Sequence, residues 1–226
     1  MSNRYSSDWY KNPRKGRSIP ISLNNLIVCC GEKTERQYFT RVGEIIKANY
    51  SQLTGINFDI TVDAVDPLQM TESIERQYLD SIKRRSPYQH IWVIFDKDDF
   101  KKDNFDNAIG RIRSLCNKYK ERDVVFHALW SNECIELWFL LHFEYLIADI
   151  HREQYFAKLT DYLKQDYKKN DKALFDKILE ANGRIAKAIM NANKLKEFHR
   201  GKPEALCSPA TNVVEFFEMY RQYIEL

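Results

Sequence analysis

Glycine and proline are scarce, 7 and 6 residues out of 226, which excludes a collagen-like repeat, a linker and a wholly disordered chain. The five cysteines, Cys29, Cys30, Cys116, Cys134 and Cys207, are odd in number and contain no C-x-x-C pair. A disulfide framework and a structural zinc site are therefore not expected, and the thiols are read as reduced. Long apolar runs are absent too: the most apolar stretch, residues 135–150, spans 16 positions and is interrupted by Glu136, His142, Glu144 and Asp149. A membrane-crossing helix needs about 20 mostly apolar residues. The first residues are polar and basic and lack the apolar centre of a secretory leader, so a cytoplasmic protein is expected. Neither G-x-x-x-x-G-K-S/T nor G-x-G-x-x-G occurs, which argues against ATP binding through a P-loop. A net charge of +3 is too small to mark a nucleic-acid binder by itself.

What the chain does have is aromatic surface, 13 Phe, 13 Tyr and 4 Trp, enough to offset the ordering entropy of a sizeable core. Residues 25–30 (NLIVCC) form a continuous apolar run that stops at Gly31, as expected for a strand buried on both faces of a parallel sheet. Thr34 can cap the helix that follows, whose apolar positions are Tyr38, Phe39, Val42, Ile45 and Ile46. Residues 58–64 alternate as a second strand, and beyond Pro67 the residues Met70, Ile74, Tyr78 and Ile82 mark a second helix. Residues 91–95 (IWVIF) are the third strand, Phe105, Ile109, Ile112 and Leu115 line a third helix, and residues 124–130 are the fourth strand. This alternation predicts an α/β fold with a mostly parallel four-stranded sheet flanked by helices. From residue 132 onward the signals are helical, over 133–145, 152–167, 171–195 with a break at Gly183, and 213–224. The expected organisation is a basic arm over residues 1–22, an α/β core over 23–131 and an all-helical part over 132–226 packed on it.

Functional residues of a parallel sheet gather where the loops leave the carboxyl ends of its strands. Two such loops are acidic, residues 30–35 (CGEKTE) and residues 96–99 (DKDD). In an extended chain Asp96 and Asp98 project to the same side and can share a cation, for which Mg²⁺ suits a few carboxylates with water and phosphate. The plainer alternative is a polar loop that caps a helix. A third cluster follows the fourth strand, where Asn132 can cap and Glu133 and Glu136 lie three apart. Glu136 stands within an apolar run, so its charge needs a partner. Trp138, Phe139, Leu141 and Phe143 read as core and His142 as a packing residue.

The segments LIVCCGEKTERQYF, IWVIFDKDDF, SNECIELWFLLHFEY, NGRIAKAIMNANKL and SPATNVVEFFE together resemble the RloB family. These are bacterial proteins with a Toprim-type core linked to abortive infection and restriction loci, and the resemblance covers about residues 24–224. It implies a Mg²⁺- or Mn²⁺-dependent nuclease of anti-phage defence acting on DNA or RNA, tRNA included. Toprim domains use a glutamate after the first strand and a D-x-D after a later one, so the resemblance puts Asp96 and Asp98 on the metal. The family usually reads C-E-G-E-K-T-E, and Cys30 occupies the place of the first glutamate. A thiol is a poor Mg²⁺ ligand. Glu32 or Glu35 is then expected to supply the missing oxygen, Glu136 to be a further ligand or base, and Lys33, Lys97, Ser131 and Asn132 to contact substrate. Basic residues such as Arg111, Arg113, Lys196, Arg200 and Lys202 would steer the polymer. The alternative implied by the resemblance is a weakened or inactive Toprim module that binds nucleic acid or regulates beside an SMC-like ATPase.

Overall fold

The computed structural model describes residues 22–50, 55–63, 67–97 and 102–225. Asp98 and, residue 22 aside, the expected basic arm lie outside them. Leu23–Cys29 is β1, Thr34–Asn49 α1, Ile56–Val62 β2, Pro67–Lys83 α2, His90–Asp96 β3, Lys102–Lys118 α3 and Val125–Asn132 β4. The chain continues through α4 (Glu136–Leu141), α5 (Arg152–Leu163), α6 (Leu174–Glu180), α7 (Ile185–Phe198), β5 (Ala210–Thr211) and α8 (Val214–Tyr220). The sheet order is β2-β1-β3-β4-β5, parallel except for β5, which runs antiparallel to β4.

This is the expected mostly parallel α/β sheet with a fifth strand added. β5 has only two residues, Ala210 opposite Asn132 and Thr211 opposite Ser131, too few to produce a period in the sequence. The successive strands leave β1 first toward β2 and then toward β3. The loops after β1 and β3 consequently part at this point of the sheet, where α/β folds leave a crevice at the carboxyl ends.

Alternation along the strands divides the interior into two layers. Leu26, Val28, Ile91, Val93 and Phe95 pack with Met70, Ile74 and Tyr78 of α2 and Phe105, Ile109 and Ile112 of α3. Ile27, Cys29, Trp92 and Ile94 face the other way, onto Tyr38, Phe39 and Val42 of α1 and a shell from α4 to α8 that includes Trp138, Tyr155, Ile189, Phe216 and Phe217. Both faces are covered, which is why β1 and β3 read as continuous apolar runs. No helix among the described residues is long and apolar enough to cross a membrane.

Three helical expectations change. The helix expected over 133–145 is confined to α4, whose cap position is Ile135 and carries no side-chain cap, while the Asn132 amide donates to the Cys207 carbonyl at 2.5 Å. Thr34 does not cap α1 but sits in its first turn and donates to the Lys169 carbonyl at 2.8 Å. The helix expected over 152–167 stops at Leu163, after which Lys164 takes a left-handed conformation and residues 164–173 run irregularly back across α1. The break at Gly183 separates α6 from α7 as expected.

Candidate functional site

The expected acids lie at or just past the carboxyl ends of the strands. Asp96 closes β3, opposite Ser131 of β4, which in turn stands opposite Thr211 of β5. The ladder runs to this edge, with the Cys30 amide donating to the Ile94 carbonyl at 2.9 Å and the Lys97 amide to the Ser131 carbonyl at 2.9 Å. Glu35 lies in the first turn of α1 and Glu136 in the first turn of α4, positions where helix dipoles favour carboxylates. Their relative exposures are 7%, 8% and 1% for Glu35, Asp96 and Glu136, so all three acids are withdrawn from water.

Two buried thiols lie in the field of these charges. The Cys29 thiol is held far above its usual range by burial and then by Glu35. Burial, Glu136 and Asp96 do the same to Cys134. Cys134 thus shares its surroundings with both Asp96 and Glu136, while Glu35 stands over the end of β1. The Glu35 carboxylate folds onto Gly31, where any Cβ would collide with it. Glu136 has two further neighbours. The Tyr167 hydroxyl donates to its Oε1 at 2.8 Å, and the Lys169 ammonium stands 3.9 Å from the same oxygen. Burial and the Glu136 carboxylate together push the Tyr167 phenol well above its usual range.

Other expected residues stand elsewhere or are engaged. Glu32 is exposed and lines an open groove on α1 with Arg36, Arg41 and Lys172. Lys33 precedes α1 and is exposed, whereas Lys97 is half-buried just past β3. Ser131 and Asn132 are buried and spend their side chains on the β5 connection, Ser131 with the Thr211 hydroxyl at 2.9 Å and Asn132 with Cys207. Glu133 accepts from the Arg152 amide at 2.9 Å at the start of α5. Cys30 packs on the α2 and α3 layer, the face opposite that of Cys29. Among the described residues no three His, Cys, Asp or Glu side chains are grouped so as to hold an ion by themselves. Asp98 is not among them.

Beside β5 the surface carries a groove of about 600 Å³ lined by Arg113, Lys196, His199, Arg200, Lys202 and Asn212, among others. Arg113 is paired with Glu204 at 2.5 Å and Arg200 with Glu197. Lys196 and Lys202 enter no ion pair among the described residues. The sequence does not mark Tyr167 and Lys169 as site residues. They lie in a lysine-rich run that looks like a solvated helix end, and the one clue was an aromatic residue among charges.

Residues 25–219 match the family model described as RloB-like protein. No curated protein and no solved structure matches the chain.

Proposed function

The chain belongs to the RloB-like protein family, and we propose that it is a Toprim-type, metal-dependent nuclease of anti-phage defence. The observation that carries this reading is that Glu35, Asp96 and Glu136 are each buried at or just past the carboxyl ends of β1, β3 and β4. Carboxylate oxygens suit a hard divalent ion such as Mg²⁺ or Mn²⁺. Asp96 and Glu35 would hold it together with Asp98, since the described residues alone do not complete a ligand set. When bound, such an ion stabilises charge on a phosphate and lowers the pKa of an attacking water.

The remaining chemistry belongs to the chain itself. Tyr167 donates to the Glu136 carboxylate at 2.8 Å and so restricts its orientation. The aromatic shell beneath, with Trp138 stacked on Phe217 at 4.6 Å, keeps water from entering behind the acids. The groove beside β5 lies two strand positions from Asp96, about 10 Å, and offers Lys196 and Lys202 to the flanking backbone.

The test is cleavage of single- and double-stranded DNA, RNA and tRNA with Mg²⁺, Mn²⁺ or EDTA, by the parent and by Asp96→Asn. Metal-dependent cutting that falls at least about a hundredfold in Asp96→Asn, with an unchanged or raised melting temperature, is expected, because a neutral amide is less costly to bury there than a carboxylate. A second reading draws on Cys30, whose thiol replaces a family glutamate and packs away from the acids. It makes the chain a nucleic-acid-binding subunit beside an SMC-like ATPase, and binding of these substrates without cleavage under either metal would select it.

A further inference from the structure

The irregular segment between α5 and α6 is fastened at several points. The Tyr167 amide donates to the Thr160 hydroxyl at 3.1 Å, the Tyr167 ring stacks on Phe156 at 5.5 Å between centroids, and the Tyr167 hydroxyl reaches Glu136. The Lys169 carbonyl accepts from Thr34, the residue just before Glu35. Lys169 is thereby held between the first turns of α1 and α4, which carry two of the three edge acids.

Its ammonium lies 5.0 Å from the centroid of the Phe156 ring and 3.9 Å from Glu136 Oε1. That separation exceeds a hydrogen bond of about 2.7–3.2 Å, and the Glu136 oxygen already accepts from Tyr167 at 2.8 Å. The Lys169 side chain is 49% exposed while that of Glu136 is 2% exposed. A lysine ammonium has three donors on a flexible stem, and its loose pairing with Glu136 does not consume them. Glu35, Asp96 and Glu136 repel a polyanion, so a strand that enters here needs a cation on the protein side. Lys177 is already tied to Asp171 at 2.6 Å.

We propose that Lys169 is the phosphate-binding residue of this edge, and that it exchanges its loose pairing with Glu136 for a phosphate oxygen of a bound nucleic-acid strand. The assignment rests on the reading of the edge as a nucleic-acid site, but it does not require that the strand be cut.

Fluorescence anisotropy of labelled 20-nucleotide single-stranded RNA and DNA, in EDTA across a salt series, tests it with the full chain. Lys169→Gln is expected to weaken binding about tenfold and to lower the slope of log K against log salt by about 0.7, the loss of one phosphate contact. Lys169→Arg should keep most of both. Lys172→Gln, on the same segment, should bind like the parent. In the cleavage assay Lys169→Gln should lose about a hundredfold in kcat/KM. If Lys169→Gln only lowers the melting temperature and leaves affinity and salt slope unchanged, Lys169 is a structural partner of Glu136 and the proposal falls. Parental cleavage with an equally active Lys169→Gln overturns the proposal and leaves the nuclease reading standing. No cleavage under any metal, with the salt slope still lost in Lys169→Gln, does the reverse. A parent that binds neither strand removes both.

Discussion

Gly31 is a glycine because the Glu35 carboxylate lies on it. A Cβ built there would stand 1.9 Å from Glu35 Oε2 and 2.4 Å from Cδ, and the atoms it meets are the far end of a side chain rather than backbone. Gly31→Ala is therefore expected to push Glu35 off the edge at a stability cost below about 1 kcal/mol, while Mg²⁺ affinity by calorimetry drops at least about tenfold. Unchanged affinity would mean that Glu35 is no ligand. Asn25 supplies the opposite case, a polar side chain whose role is architectural. It is fully buried, and its Oδ1 accepts from the Trp92 indole at 3.0 Å and the Tyr220 hydroxyl at 2.6 Å while its amide donates to the Asn57 carbonyl at 3.3 Å. Asn25→Ala leaves two donors buried without an acceptor and should destabilise by about 3 kcal/mol in denaturant melts, with the carboxyl edge of the sheet unaffected. Neither role is visible in sequence. Gly31 reads there as the end of a strand, and Asn25 as its first residue, because the partners are 4 and 195 positions away.

Strands β1 and β3 are legible because burial on two faces leaves an unbroken apolar run, β4 is legible although His127 interrupts its run and Val125 is exposed, and α1 to α3 are legible because each keeps one apolar stripe at helical spacing. What the sequence hid lies between such elements. The stop after Leu163 is set by a non-glycine residue in a left-handed turn, and β5 is defined by its pairing with β4 and by nothing in its own two residues. The 164–173 segment is the clearest case, since it brings Tyr167 and Lys169 to Glu136 of α4 and ties to Thr34 of α1. Its tether to α1 is the Thr34 hydroxyl on the Lys169 carbonyl. Thr34→Val keeps the volume and removes the donor. It is expected to cost about 1 kcal/mol and to speed amide exchange through the segment while the sheet keeps its protection, which exchange monitored by mass spectrometry can read. Protection unchanged at residues 165–171 would show that Tyr167 alone holds the segment.

At the scale of the molecule, residues on both sides of position 131 share one apolar cluster, with Trp92 of β3 against Phe216 of α8 and Tyr38 of α1 against Phe139 of α4. His142 lies in this cluster, fully buried, its Nε2 3.5 Å from the Tyr38 hydroxyl and its Nδ1 without a hydrogen-bond partner among the described residues. Burial alone drives its pKa down to about 3. His90 is lowered to about 4 by burial and then by His127, whose Nε2 lies 3.1 Å away. Unfolded, both rings titrate near about 6.5. The unfolded chain therefore binds more protons than the folded one below that pH, and stability present above about 6.5 is lost as pH falls toward 4 and 3. The carboxylates held low, such as Glu75, Asp171 and Glu215, act only as pH nears their own unfolded values of about 4, so the loss between pH 7 and 5 belongs to the histidines. For a ring as buried as His142 the loss over that interval comes to about 2 kcal/mol, or roughly 4–8 °C in melting temperature for a chain of this length. His142→Leu removes the titrating group, fills a similar volume and leaves behind no charge. Its melting temperature should match the parent near pH 7.5 within a few degrees and fall less than the parent's on acidification to pH 5. Parallel pH profiles for the two proteins would show that His142 does not set this acid limb.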